Sequence, residues 1–152
     1  MVKYVDVKVV FEEVPDYVSL GISISKCPFG CPHCHSSYLR GDCGEELNTA
    51  VLDELMEKNS GVNCVLFLGD GDDMDGLCEL AKHVKTNSPN IKTAVYSGMT
   101  YIAQPYTECL DFIKVGGYVE ECGPLNKETT NQRFYENRNG ELVDLTYKFW
   151  KR

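Results

Sequence analysis

Apolar and polar residues alternate from Tyr4 to Val10 and again across Tyr17 to Ser25 (YVSLGISIS), the two-residue period of a half-buried strand. Two strands are predicted, with a hairpin turning at Val14-Pro15-Asp16. The segment that follows, KCPFGCPHCHSSYLRGDCGEE, is broken by two prolines and three glycines and reads as a long loop. Helical spacing begins at Val51, Leu52, Leu55 and Met56, with Asn48 or Thr49 as the cap and Gly61 just past the end. Val62 to Leu68 (VNCVLFL) is a near-continuous apolar run, the pattern of a strand covered on both faces. It stops abruptly at Gly69-Asp70-Gly71-Asp72.

Leu77, Leu80, Ala81 and Val84 mark a second amphipathic helix, halted near Asn87-Ser88-Pro89, and Ile91 to Tyr96 supplies another strand. A weaker helical stretch from Thr100 to Leu110 leads to a strand at Phe112 to Val115. The tail from Leu142 to Trp150 reads as a closing strand with an aromatic anchor. Strands and helices thus alternate through the middle of the chain, which predicts right-handed crossovers and a mainly parallel sheet. A full eight-fold barrel needs at least about 200 residues, and the chain has 152. The expected fold is therefore α/β, an incomplete βα barrel filling residues 1–152 as a single domain.

Charge narrows the partners. Against 23 Asp and Glu there are 15 Lys and Arg, a net −8, which leaves no broad basic face for a nucleic-acid backbone. No apolar run approaches the roughly 20 residues that span a bilayer, and the first residues lack the basic start and unbroken apolar stretch of a secretory signal. A cytoplasmic chain with neither nucleic-acid nor membrane partner is expected. Eight cysteines in such a compartment argue for metal or catalytic roles over disulfides. Cys43, Cys64, Cys78, Cys109 and Cys122 are scattered, and most are expected to be buried core thiols.

The other three, Cys27, Cys31 and Cys34, lie together where the strand Tyr17 to Ser25 ends. Thiolates are the usual ligands of iron–sulfur clusters, and a four-iron cubane normally takes four. Three leave one iron open, as three protein ligands leave a position open at catalytic zinc. A small molecule can then bind the metal directly. The alternative is a structural zinc site completed by His33 or His35. Adjacent ligands would crowd a tetrahedral site, and zinc sites more often draw a second ligand pair from a separate point in the chain.

The spacing CxxxCxxC after an early strand, followed by alternating strand and helix, resembles the radical S-adenosylmethionine superfamily. GISISKCPFGCPHCHS, Tyr96-Ser97-Gly98 and GGYVEECGPLNKETTNQRFYE are similar, more narrowly, to the anaerobic ribonucleoside-triphosphate reductase activating proteins, from about Val18 to the C-terminus. The resemblance implies a [4Fe–4S] cluster on Cys27, Cys31 and Cys34. Its open iron would be chelated by the methionine end of S-adenosylmethionine, and one electron would cleave that cofactor to a 5′-deoxyadenosyl radical. The radical would take a hydrogen atom from a glycine of a large anaerobic ribonucleoside-triphosphate reductase subunit. A low-potential donor such as flavodoxin would supply the electron.

The resemblance also implies cofactor-binding residues. His33 would pack near adenine, and Gly69, Asp70, Gly71 and Asp72 would meet the methionine ammonium. That superfamily usually has Gly-Gly-Glu or Gly-Gly-Asp in this position. Here Asp70 stands in the second glycine's place, or an acid precedes Gly71-Asp72, and either carboxylate can be the one that faces the cofactor; on residue types alone the run is a plain acidic turn. Ser97 and Gly98 end a strand on the same edge and would contact the cofactor carboxylate or ribose. Asn131 and Gln132 would pair with an extended peptide of the reductase, and Arg133 would offer its fork of donors to a carboxylate. The alternatives are activation of another glycyl-radical enzyme, a small radical enzyme acting on a metabolite or peptide, and a non-catalytic zinc-binding interaction module.

Overall fold

The computed structural model describes residues 2–25, 44–117 and 119–150. The alternating start of the chain becomes β1 (Lys3–Val10), which pairs antiparallel with β2 (Ser19–Ile24) from Tyr4 opposite Ile24 to Val10 opposite Ser19. A two-residue strand, β3 (Glu45–Glu46), lies along the outer side of β1. Helix α1 (Thr49–Lys58) begins where Asn48 predicts it, the Asn48 side chain accepting the Val51 N–H at 2.9 Å. The apolar run becomes β4 (Cys64–Leu68), and Asp73 caps α2 (Met74–Asn87) by accepting the Gly76 N–H at 2.9 Å. Then come β5 (Lys92–Tyr96), α3 (Gln104–Cys109) and β6 (Phe112–Val115). Two strands close the sheet, β7 (Arg133–Arg138) and β8 (Glu141–Asp144), and a 3-10 helix (Thr146–Phe149) ends the described chain.

The eight strands form one sheet in the order β3-β1-β2-β4-β5-β6-β7-β8. Only β2, β4, β5 and β6 run parallel; the other four of the seven pairings are antiparallel. This corrects the expected fold class. The molecule is a mixed sheet with three α-helices among the described residues, and the mainly parallel, incomplete βα barrel does not form. The physical cause lies in the connections, since parallel neighbours need a long crossover while antiparallel ones need only a turn. Helical segments bridge β4 to β5 and β5 to β6, whereas residues 11–18 and 139–140 are short turns that send the chain straight back. Asn139 and Gly140, at φ of +54° and +91°, make the two-residue turn between β7 and β8.

Alternation along the central strands builds two apolar layers. On one face Ile22, Val65, Phe67, Val95 and Ile113 pack with Leu52 of α1, Leu77, Leu80 and Val84 of α2, and Tyr106 of α3. On the other, Cys64, Leu66, Ala94, Phe112 and Phe134 are covered by Val10, Val14 and Leu145. Here Phe112 stacks on Phe134 at 5.6 Å between ring centroids, and Phe149 of the 3-10 helix meets Phe134 edge-on at 5.1 Å. Each fully buried side chain of this size contributes roughly 1.5–3 kcal/mol of transfer free energy. Two further expectations need correction. Helix α3 is shorter than Thr100–Leu110 because Pro105 is tolerated only in a first turn. The tail after Leu142 keeps strand form only to Asp144.

Candidate functional site

Four parallel strands present their C-terminal ends along one edge, the side where ligands bind in open α/β sheets. Ser25, which follows β2, is buried, and its N–H donates to Lys3 O at 2.9 Å. It is the last described residue before the cysteine segment, so Cys27, Cys31, His33 and Cys34, with His35 and Cys43, lie outside the described residues.

Beside Ser25 the chain leaves β4 through Gly69 and Gly71, at φ of +114° and +63°. These are backbone conformations that a side chain with a Cβ resists. A Cβ on Gly71 would also sit 2.9 Å from Ile24 Cγ2. The glycine turn therefore lies tight against the end of β2, where the cysteine segment departs. Between the two glycines, the Asp70 side chain turns inward and is 5% exposed.

Its carboxylate collects three donors. The Tyr106 hydroxyl donates to Oδ1 at 2.6 Å, while the Ser97 hydroxyl and the Gly98 N–H donate to Oδ2 at 3.1 and 2.9 Å. Asp70 thereby ties the ends of β4 and β5 to α3. Burial, and then the neighbouring Asp70 charge, push the Tyr106 phenol well above its ordinary pKa, so this hydroxyl keeps its proton. Asp72, by contrast, is exposed.

The end of β6 completes the edge. Lys114 is buried, with Nζ 3.1 Å from Gly116 O and 3.4 Å from Ser97 O, and it lies 5.1 Å from the Tyr96 ring centroid, within cation–π range. Gly116 bends at φ +95°, and a Cβ there would meet Gln132 Cα at 3.1 Å and Asn131 O at 3.2 Å. Asn131 and Gln132 thus pass directly against the edge. Asn131 Nδ2 donates to Gly117 O at 2.9 Å, Gln132 is buried, and Arg133 opens β7 with NH1 3.7 Å from the Asp144 carboxylate.

The structure brings Gly69–Asp72, Ser97–Gly98 and Asn131–Gln132 to one edge, with Arg133 pointing to β8. It adds Tyr106, Lys114 and Gly116, which the sequence reading did not select. A lysine inside a short apolar strand, Phe-Ile-Lys-Val, is the signal that marks Lys114. Nothing local marks Tyr106.

Of the scattered cysteines, Cys64, Cys78 and Cys109 are buried and Cys122 is half-buried. Among the described residues no group of three or more His, Cys, Asp or Glu is placed to hold a metal, and no helix is long and apolar enough to cross a membrane. A surface cleft of about 440 Å³ lies on the far face between Tyr17, Phe134 and Lys148, away from the Asp70 edge. Comparison with protein-family models, curated proteins and solved structures finds no match to this chain.

Proposed function

We propose that this chain is a radical S-adenosylmethionine activase that places a glycyl radical on an anaerobic ribonucleoside-triphosphate reductase. One observation carries the reading. Three cysteines with one open-iron ligand set follow β2 in the sequence, and the described end of β2 lies at the strand edge where Gly69–Asp72, Ser97–Gly98 and Asn131–Gln132 gather. The reading rests on that cysteine spacing and on the edge, and it draws nothing from the fold, which is not the barrel first expected.

The donor set suits the group: three thiols are the ligands a cubane takes, and one vertex remains for a small molecule. Cys27, Cys31 and Cys34 would hold the cluster, which would supply the single electron that cleaves the sulfonium of S-adenosylmethionine. The rest falls to this chain's own residues. The positive-φ glycines at 69 and 71 bring backbone close to the edge, where N–H and C=O groups can meet a polar cofactor. Asp70 holds Ser97 and Gly98 in place, and Asp72, the other acid of that run, is exposed. By the resemblance, His33 would pack near adenine, and Asn131, Gln132 and Arg133 would receive the glycine-bearing loop of the reductase. A flavodoxin-like donor in the cytoplasm completes the system.

Anaerobic reconstitution tests it. The expected product is a brown protein with iron and sulfide that releases 5′-deoxyadenosine on reduction and, mixed with the reductase, yields a glycyl doublet in electron paramagnetic resonance. Cys27→Ala, Cys31→Ala and Cys34→Ala should each abolish iron loading, and Cys122→Ala should not. A colourless protein carrying one tight zinc would replace the proposal with a structural zinc module. Cofactor cleavage without the doublet would point to another glycyl-radical protein or a small substrate.

A further inference from the structure

Three separate segments build the cleft on the far face. Phe134, Glu136 and Arg138 alternate along β7 and so share one face of the sheet, and Phe112 of β6 lies directly opposite Glu136. The turn between β1 and β2 supplies Asp16 and Tyr17, and the closing 3-10 helix supplies Tyr147 and Lys148. Lys148 Nζ reaches Asp16 Oδ2 at 3.0 Å, which joins these two walls. Phe112 opens β6 whereas Asp70 follows the end of β4, so the cleft and the Asp70 edge lie at opposite ends of the parallel strands.

The lining combines rings and charges. Phe112 and Phe134 form a stacked floor at 3% and 1% exposure, and Tyr17 tilts onto Phe112 at 5.3 Å between centroids. Ring surface open to a ligand comes from half-buried Tyr17 and from Tyr147, which is 45% exposed. The charges form two pairs, Lys148 with Asp16 and Arg138 with Glu136. The more enclosed member is the cation in the first pair, Lys148 at 33% against 75%, and the acid in the second, Glu136 at 26% against 61%. Asp16 takes one of the three Lys148 N–H donors, and Glu136 takes the Nε–H of the five that Arg138 offers. Both cations therefore keep donors, and the Glu136 carboxylate keeps acceptor sites, among the described residues.

We infer that this cleft is a binding site for a nucleoside phosphate, with the base against Tyr17 and Tyr147 and the phosphate on Lys148 and Arg138. Glu136 accepts from an N–H of the base. The volume of about 440 Å³ falls within the roughly 300–1,000 Å³ of small-molecule sites. Simpler ligands fit less of the lining. A bare anion leaves the rings unused and offers nothing to Glu136, while an aromatic cation meets Lys148 and Arg138. A flat base with N–H donors, joined to a phosphate, engages rings, acid and cations together.

The test is calorimetric titration of the full chain with guanosine 5′-monophosphate (GMP), whose base carries N–H donors. GMP should bind saturably at one site, and guanosine and inorganic phosphate, titrated separately, should each bind at least ~10-fold more weakly. Tyr147→Ala should weaken GMP at least ~5-fold, the lower end of one lost base stack. Lys148→Ala should weaken GMP while leaving guanosine unchanged. Excess S-adenosylmethionine should not displace GMP, so the result is independent of the activase proposal. Absence of saturable binding at about 1 mM GMP would overturn the site. Phosphate binding as tightly as GMP, GMP affinity unmoved by both substitutions, or displacement by S-adenosylmethionine would each overturn it as well. The three titrations of wild type decide the matter even if a variant does not fold.

Discussion

Asp70→Asn asks whether the buried acid is a brace of the fold or a group held for a ligand. Oδ2 accepts from Ser97 and Gly98 and Oδ1 accepts from Tyr106. The Gly98 N–H can only donate, so an asparagine must keep its oxygen at the Oδ2 position. Its Nδ2 then faces the Tyr106 hydroxyl, which lies 2.6 Å from Oδ1 in the native protein. That hydroxyl has to become an acceptor and turn its own proton into buried surroundings.

Hydrogen bonds to charged groups contribute about 1.5–3 kcal/mol against about 0.5–1.5 for neutral pairs. Weakening two bonds and misdirecting the third, offset by relief of a buried charge, comes to about 2–3 kcal/mol. Tyr106→Phe removes one bond of the three and should cost about 1–2 kcal/mol. The pair should be non-additive: Asp70→Asn/Tyr106→Phe is expected to be no less stable than Asp70→Asn alone, because the misdirected hydroxyl has gone. Urea denaturation followed by circular dichroism reads this directly, provided the slope against urea is unchanged. A total stability of about 5–15 kcal/mol makes such losses easy to resolve. Costs that add within about 0.5 kcal/mol, or an Asp70→Asn variant as stable as wild type, would refute the brace. A group held under strain for a ligand would leave stability equal or higher when replaced.

Alkaline pH probes the same hydroxyl. Below about pH 10 the Tyr106 phenol is protonated in both folded and unfolded chains; above it the unfolded phenol ionises while the folded one does not, so stability should fall as pH rises past 10. Tyr96 is raised by burial in the same direction, so Tyr106→Phe and Tyr96→Phe should each flatten that limb in denaturation measured across pH 9 to 11. Gly71→Ala and Gly140→Ala both force alanine into left-handed backbone, at about 1–2 kcal/mol. Gly71→Ala should be clearly the worse in thermal melts, because its Cβ meets Ile24 while nothing lies within 4 Å at Gly140, and equal losses would remove the argument for tight packing there. Asn137 Nδ2 donates to Thr107 O at 2.8 Å and Leu110 O at 2.9 Å, linking β7 to the end of α3. Asn137→Ala should cost about 1–3 kcal/mol by the same urea assay, and an unchanged midpoint would mean water replaces both bonds.

Local signals and tertiary ones separate cleanly along this chain. Asn48 announces α1 because a cap is a contact between near neighbours, and VNCVLFL announces a strand covered on both faces because Val65 and Phe67 meet the helices while Cys64 and Leu66 meet the other layer. The strand–helix rhythm correctly leads to the four parallel strands at the centre. It says nothing about the flanks, where β7 reads as RFYENR with Phe134 its one deeply buried apolar side chain, and where only Asn139-Gly140 betrays the hairpin.

The candidate edge divides in the same way. Gly69–Asp72 and Ser97–Gly98 are legible as strand ends, since local pattern determines where a strand stops. Which of those acids is occupied by the fold is not legible, because the competitor is remote. An acid at position 70 reads as a ligand for a cofactor only while nothing in its own segment bonds to it. The hydroxyl of Tyr106, 36 residues further on, supplies that bond, and with it Asp70 becomes the post on which the two strand ends and α3 are fixed.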